Sequence, residues 1–267
     1  MMPDKLTVSI LGCGWYGLSF AESLVAKGIT VKGSTTSPQK QKELKAKGIL
    51  PYVIKVNADE ATDDADFFKC DILWIAIPPK TRSGEGDSYV HKIERIIELA
   101  VLHKVQQVVL ISSSGVYGDH NQEVDEITAP NPVTESGKVL LRAEDLVRAQ
   151  AEFTSTIIRF AGLIGPGRDP GRFFAGKKNI PNGKAPVNLI HLDDCIGISH
   201  AIIDEQAFGY TFNACSPSHP EKADYYTRAA EASGLEIPEF IDELLEWKVV
   251  GSIYVDDVLG YNYTTLI

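Results

Sequence analysis

Short apolar runs alternate with helical periodicity through the first 160 residues of the chain. Runs bounded by turn residues stand at 6–11, 29–32, 52–56, 72–77, 108–111 and 156–160, and each predicts a strand. Between the fourth and fifth, Tyr89, Ile93, Ile96, Ile97, Ala100 and Val101 recur at helical spacing and predict a helix with one apolar stripe. Val139, Leu140, Ala143, Leu146 and Val147 repeat that pattern before the sixth run, with Asn131-Pro132 upstream as cap and first-turn proline. This alternation predicts an α/β fold: a doubly wound parallel sheet in the order 3-2-1-4-5-6.

After Phe160 the texture changes. Residues 162–183 are rich in glycine and turn formers, an apolar run covers 187–192, and a helix follows to about 204. A second helical stretch at 225–232 ends at Gly234, ahead of an irregular tail. The expected division is a main domain over 1–160, completed by about 186–213. Residues 161–185 and 214–267 then form a small lobe over the carboxyl ends of the strands.

Composition narrows the partners. With 26 Lys+Arg against 36 Asp+Glu in 267 residues, the net charge of -10 repels phosphate backbones and anionic lipid. Nucleic acid and membrane surfaces are therefore not expected as partners. The four cysteines, Cys13, Cys70, Cys195 and Cys215, stand far apart without metal-ligand spacing, which points to a reducing, cytoplasmic compartment and to no bound metal. No apolar run approaches the roughly 18 residues of a membrane helix, and 6–11 is too short for a signal peptide. A small-molecule substrate is the expected partner.

The first predicted strand runs directly into Gly12-Cys13-Gly14-Trp15-Tyr16-Gly17, which opens a helix. In that setting Gly12 makes a tight turn, Gly14 admits a pyrophosphate close to the backbone, and Gly17 packs helix on strand. The free N–H groups of the helix start then face the phosphates. Trp15 and Tyr16 either shield the pyrophosphate or pack against the second lobe, and Cys13 fills space. The second strand ends in Gly33-Ser34-Thr35-Thr36-Ser37-Pro38-Gln39-Lys40, without the carboxylate that bonds an NAD ribose. Hydroxyls of Ser34 and Thr35 with Lys40 suit a 2′-phosphate, so NADP is the expected cofactor, with NAD the alternative.

Val109-Leu110-Ile111-Ser112-Ser113-Ser114-Gly115-Val116-Tyr117-Gly118 closes the fifth strand. Further on come Asn131-Pro132-Val133-Thr134-Glu135-Ser136-Gly137-Lys138, Ile158-Arg159-Phe160, Gly165-Pro166-Gly167-Arg168, Ile190-His191-Leu192-Asp193-Asp194 and Phe212-Asn213. With the glycine loop, this series resembles the NAD-dependent epimerase/dehydratase family of extended or atypical short-chain dehydrogenase/reductases. The resemblance implies a Rossmann fold and assigns Ser113 to the catalytic serine that polarises a substrate carbonyl. It assigns Lys138 to the lysine that bonds the nicotinamide ribose and tunes a catalytic tyrosine. Four residues before Lys138, where the family carries that tyrosine, this chain has Thr134, and none of its ten tyrosines has a lysine four residues later. A threonine hydroxyl cannot replace a tuned phenol as proton donor. Thr134 is read as a substrate contact or a first-turn residue, and Tyr117 as a substitute for orienting substrate. His191, Asp193 and Asp194 are read as a helix cap that ties the lobes together.

Two functions follow from the resemblance. The first is an oxidoreductase or epimerase-like enzyme with a degenerate site, acting on a small carbonyl or alcohol rather than on a large nucleotide sugar, given the short second lobe. The second is a non-catalytic dinucleotide sensor. A homodimer through the helices near 89–102 and 136–149 is also expected, because Leu99, Leu102 and Leu141 lie off the core stripes.

Overall fold

The computed structural model describes residues 6–57, 61–79, 86–265 and 267. Its strands are β1 (Thr7–Leu11), β2 (Thr30–Thr35), β3 (Leu50–Val53), β4 (Ile72–Ile75), β5 (Gln107–Ser113) and β6 (Gln122–Val124). They continue with β7 (Thr154–Phe160), β8 (Gly162–Ile164), β9 (Leu189–His191), β10 (Thr211–Ala214) and β11 (Lys248–Val250). The helices are α1 (Trp15–Ala26), α2 (Gln41–Ala46), α3 (Ala65–Phe68), α4 (Gly86–Leu102), α5 (Glu135–Arg148), α6 (Gly171–Phe174), α7 (Leu192–Asp204), α8 (Lys222–Ala232) and α9 (Tyr254–Asp257).

Seven strands form one parallel sheet in the order β3-β2-β1-β4-β5-β7-β10. The six strands expected from the apolar runs occupy their expected places. β10 is an addition: its four residues, Thr-Phe-Asn-Ala, are too short and mixed to stand out in sequence. It joins the edge through Phe212, in register with Ile158. The central strands β1 and β4 are buried on both faces, as the unbroken apolar run of β4 requires. α1 and α7 cover one face of the sheet and α4 and α5 the other.

The start of α5 differs from expectation. Its N-cap is Thr134, three residues beyond Asn131, and the Thr134 Oγ1 accepts the Gly137 N–H at 3.1 Å. Thr134→Ala is expected to cost about 1 kcal/mol in chemical denaturation. Ligand affinity should stay unchanged, because this hydroxyl serves the helix. The leucines expected to be exposed also divide: Leu99 is buried, Leu141 half-buried, and Leu102 is 63% exposed.

A buried polar cluster fixes α5 against the sheet. Glu144 accepts from Arg159 Nη2 at 2.6 Å and Nε at 3.1 Å, from Ser112 Oγ at 2.6 Å, and from Arg148 Nη2 at 2.7 Å. Arg159 Nη1 donates to the Tyr117 hydroxyl at 2.6 Å, and that hydroxyl donates to the Asp125 carbonyl at 2.7 Å. Beyond β7, Ile164, Val187, Leu189 and Tyr226 form a second small core with Phe174 and Phe240. His191 caps α7, and Asp194 accepts from Tyr261, Thr264 and Thr265, which pins the last residues of the chain to that helix. Among the described residues no helix is long and apolar enough to cross a membrane, and no cluster of His, Cys, Asp and Glu is arranged to hold a metal ion.

Candidate functional site

The glycines after β1 differ in what surrounds them. Gly12 has φ +108°, a conformation that favours glycine, and a Cβ there would sit 3.0 Å from the Ala76 carbonyl. A Cβ on Gly17 would stand 2.2 Å from Gly12 O, so only glycine lets α1 pack this closely on the turn. A Cβ on Gly14 would meet nothing within 4 Å. Gly14 is the N-cap of α1 and makes no side-chain cap hydrogen bond, so the first-turn N–H groups are left to a ligand.

Two cavities meet at that residue. One, of about 270 Å³, lies toward β2 and β3 and is lined by Gly12, Cys13, Gly14, Ser34, Thr35, Thr36, Lys40 and Lys92 among others. The other, of about 340 Å³, lies toward β5 and α5, against Trp15, Tyr16, Gly17, Ser113, Leu140, Phe160, Leu163 and Arg168. Gly14, Ala76, Ile77 and Pro78 border both, so they form one elongated cleft across the carboxyl ends of the strands. Its described lining has three cations, Lys40, Lys92 and Arg168, and a carboxylate, Glu43, lines an adjoining cavity that shares Gly14, Thr35 and Lys40. In a chain of net charge -10 this is a local reversal of sign, suited to an anionic ligand. An extended molecule with a diphosphate at its middle fits: glycine backbone at the centre, a polar half and an apolar half.

At the polar half, two of the expected contacts serve the fold instead. Ser34 Oγ accepts the Gly12 N–H at 2.8 Å and thereby holds the glycine turn. Thr35 Oγ1 accepts the Ser37 N–H at 3.1 Å. Lys40 does line the cavity, and Thr36, which the sequence reading left without a role, lines it too. Burial pushes the Cys13 thiol up to about 12, so it stays protonated, and its sulfur lies under Gly33 as a packing group.

At the apolar half the expected catalytic set comes apart. Ser113 lines the cavity. Its Oγ accepts the Gly115 N–H at 3.1 Å, a contact that leaves the hydroxyl proton available. Lys138, by contrast, is exposed, and the α5 side chain that reaches the cleft is Leu140. Two residues separate them, roughly 200° around a helix, so Lys138 points away. The correction moves the frame: a tyrosine–lysine pair with its lysine on the cleft would stand at positions 136 and 140, which are Ser136 and Leu140. Tyr117 is no substitute, because its hydroxyl lies inside the Arg159–Glu144 cluster and burial raises its pKa. Tyr16 contributes its ring to the cleft but turns its hydroxyl to Ser199 on α7, 2.7 Å away. His120 contacts the Asn131 carbonyl, and Asp119 pairs with Lys248. The signal for Leu140 was in the sequence, since it belongs to the apolar stripe of α5 and Lys138 does not.

Known proteins agree with this geometry. A family model described as NAD(P)H-binding matches residues 12–188. Protein YeeZ of Escherichia coli strain K12 is 37% identical over 262 residues, covering 96% of this chain and 95% of that protein. Among solved structures, UDP-glucuronic acid 4-epimerase from Bacillus cereus in complex with NAD aligns at TM-score 0.79 and 18% identity, covering 98% of this chain and 94% of that one. A functionally unknown conserved protein from Silicibacter pomeroyi aligns at 0.74 and 22% identity, over 97% of this chain and 93% of its own. The family match begins at the first glycine of the turn and extends past β7 to the edge of β9. This chain therefore belongs to the NAD(P)H-binding family and has a Rossmann fold.

Proposed function

We propose that the chain binds NADP(H) across the strand ends and exchanges hydride with a small carbonyl or alcohol held by Ser113. The observation that carries this reading is a cleft centred on Gly14, with the first-turn N–H groups of α1 facing it and Lys40 and Arg168 along its length. When bound, the nicotinamide supplies the hydride chemistry. Ser113 donates its hydroxyl proton to the substrate oxygen, while Ile111, Leu140, Phe160 and Leu163 exclude water from it. The preference for the 2′-phosphorylated cofactor rests on Lys40 and Thr36 at the polar half, where an NAD site places a carboxylate. Calorimetric titration should give tighter binding of NADPH than of NADH, with Lys40→Ala narrowing the gap; tighter NADH binding overturns the cofactor choice.

α5 brings neither a phenol nor an ammonium to the cleft, so wild-type turnover on small aldehydes should be slow. Absent general acid–base catalysis typically costs a factor of about 10² to 10⁴. Placing the pair on the helix face that lines the cleft, Ser136→Tyr with Leu140→Lys, is expected to raise turnover, whereas Thr134→Tyr is not. Leu140 also favours a second reading, in which the chain senses dinucleotide occupancy without catalysis. Tight cofactor binding with no turnover in wild type or in the double variant selects that reading.

A further inference from the structure

The turn at 165–168 crosses from the second lobe to the start of α1. It is closed by two backbone hydrogen bonds, Arg168 N–H to Gly165 O at 2.8 Å and Gly165 N–H to Arg168 O at 3.3 Å. Gly165 at φ +138° and Gly167 at φ +76° permit the reversal, and a Cβ on Gly165 would press on His191 and Leu192 at the start of α7. From this anchored turn the Arg168 guanidinium lies over the Trp15 ring, 4.5 Å from its centroid. The ring is held by the same turn, since Trp15 Nε1 donates to the Pro166 carbonyl at 2.6 Å. Trp15 directly follows Gly14, the residue at which the two cavities meet.

This arginine lines the cleft and has no carboxylate partner among the described residues, although the chain carries ten more acidic than basic side chains. Stacking orders its long side chain in advance, and a guanidinium presents a planar fork of donors matched to phosphate oxygens. We propose that Trp15 and Arg168 form a clamp through which the second lobe grips the bridging diphosphate of the bound dinucleotide, opposite the N–H groups of α1. The clamp rests on the dinucleotide reading above. It gives Arg168 a binding role that the glycine loop alone would not supply.

The test uses the full chain and three probes: NADPH, ADP-ribose, which keeps the diphosphate, and adenosine 2′-monophosphate, which lacks it. Arg168→Gln should weaken NADPH and ADP-ribose by about tenfold or more, the scale of one lost charged hydrogen bond, and leave the monophosphate unchanged. The dependence of ADP-ribose affinity on salt should flatten in the same variant. Trp15→Phe keeps a ring for stacking and should fall between wild type and Trp15→Ala. Arg168 is exposed, so Arg168→Gln should melt with the wild-type midpoint. Wild-type affinity for ADP-ribose in Arg168→Gln overturns the clamp alone, as does an equal loss for all three probes. A wild-type chain that binds neither NADPH nor NADH overturns the dinucleotide reading, and the clamp with it.

Discussion

Glu144→Ala is expected to lower stability by about 3–5 kcal/mol, the range for removing one partner of a buried ion pair. Glu144 is fully buried and Arg159 is 2% exposed, so the substitution leaves a guanidinium in the core with only Tyr117 beside it. The loss spreads further, because Ser112 Oγ and Arg148 Nη2 also give up their acceptor. Urea unfolding at neutral pH should show a lower midpoint with little change in slope. A shift of less than about 1 kcal/mol would mean that the cluster is not the tie between α5 and the sheet. Replacing both partners, Glu144→Leu with Arg159→Met, should recover much of the stability, since an apolar pair leaves no charge behind.

Gly14→Val and Gly17→Ala should fail in opposite ways. Gly14 is extended, φ -87° and ψ -155°, outside the left-handed region that favours glycine, and an added side chain would enter open cleft. The variant should fold with a wild-type melting temperature and bind no dinucleotide measurable by calorimetry. Gly17→Ala introduces a methyl 2.2 Å from Gly12 O, so α1 must move off β1. This variant should be strongly destabilised although its methyl is the smaller of the two added groups. A Gly14→Val protein that binds either dinucleotide as wild type does would separate the glycine turn from the ligand.

Much of this molecule is written locally. β4 is a continuous apolar run, and β1, β5 and β7 carry apolar cores of two to four residues in a row, because both their faces are buried, and a period of burial needs no distant information. The glycine turn is equally local: its spacing reports a positive φ, a close helix contact and an open position within six residues. The resemblance to the epimerase/dehydratase family likewise rests on short stretches in a fixed order.

The chemistry of the cleft was decided at longer range. Lys138 and Leu140 stand two positions apart on α5, and which of them faces the cleft depends on the phase of that helix. That phase is held by Glu144 against Arg159, 15 residues away, and Ser112, 32 residues away. The carboxylate standing on the apolar stripe of α5 was a visible sign of such a tie, but not of its partner. Ser34 lies 22 residues from the Gly12 N–H that its hydroxyl oxygen accepts, and Trp15 lies 151 from the carbonyl that fixes its ring. A side chain's direction within a helix turns by roughly 100° per residue. A motif aligned two positions off therefore still reads as a motif, while its side chains point to opposite sides of the molecule. Only packing against the sheet selects between them, because burying Leu140 and pairing Glu144 lower the free energy together, and they do so in one rotation of α5.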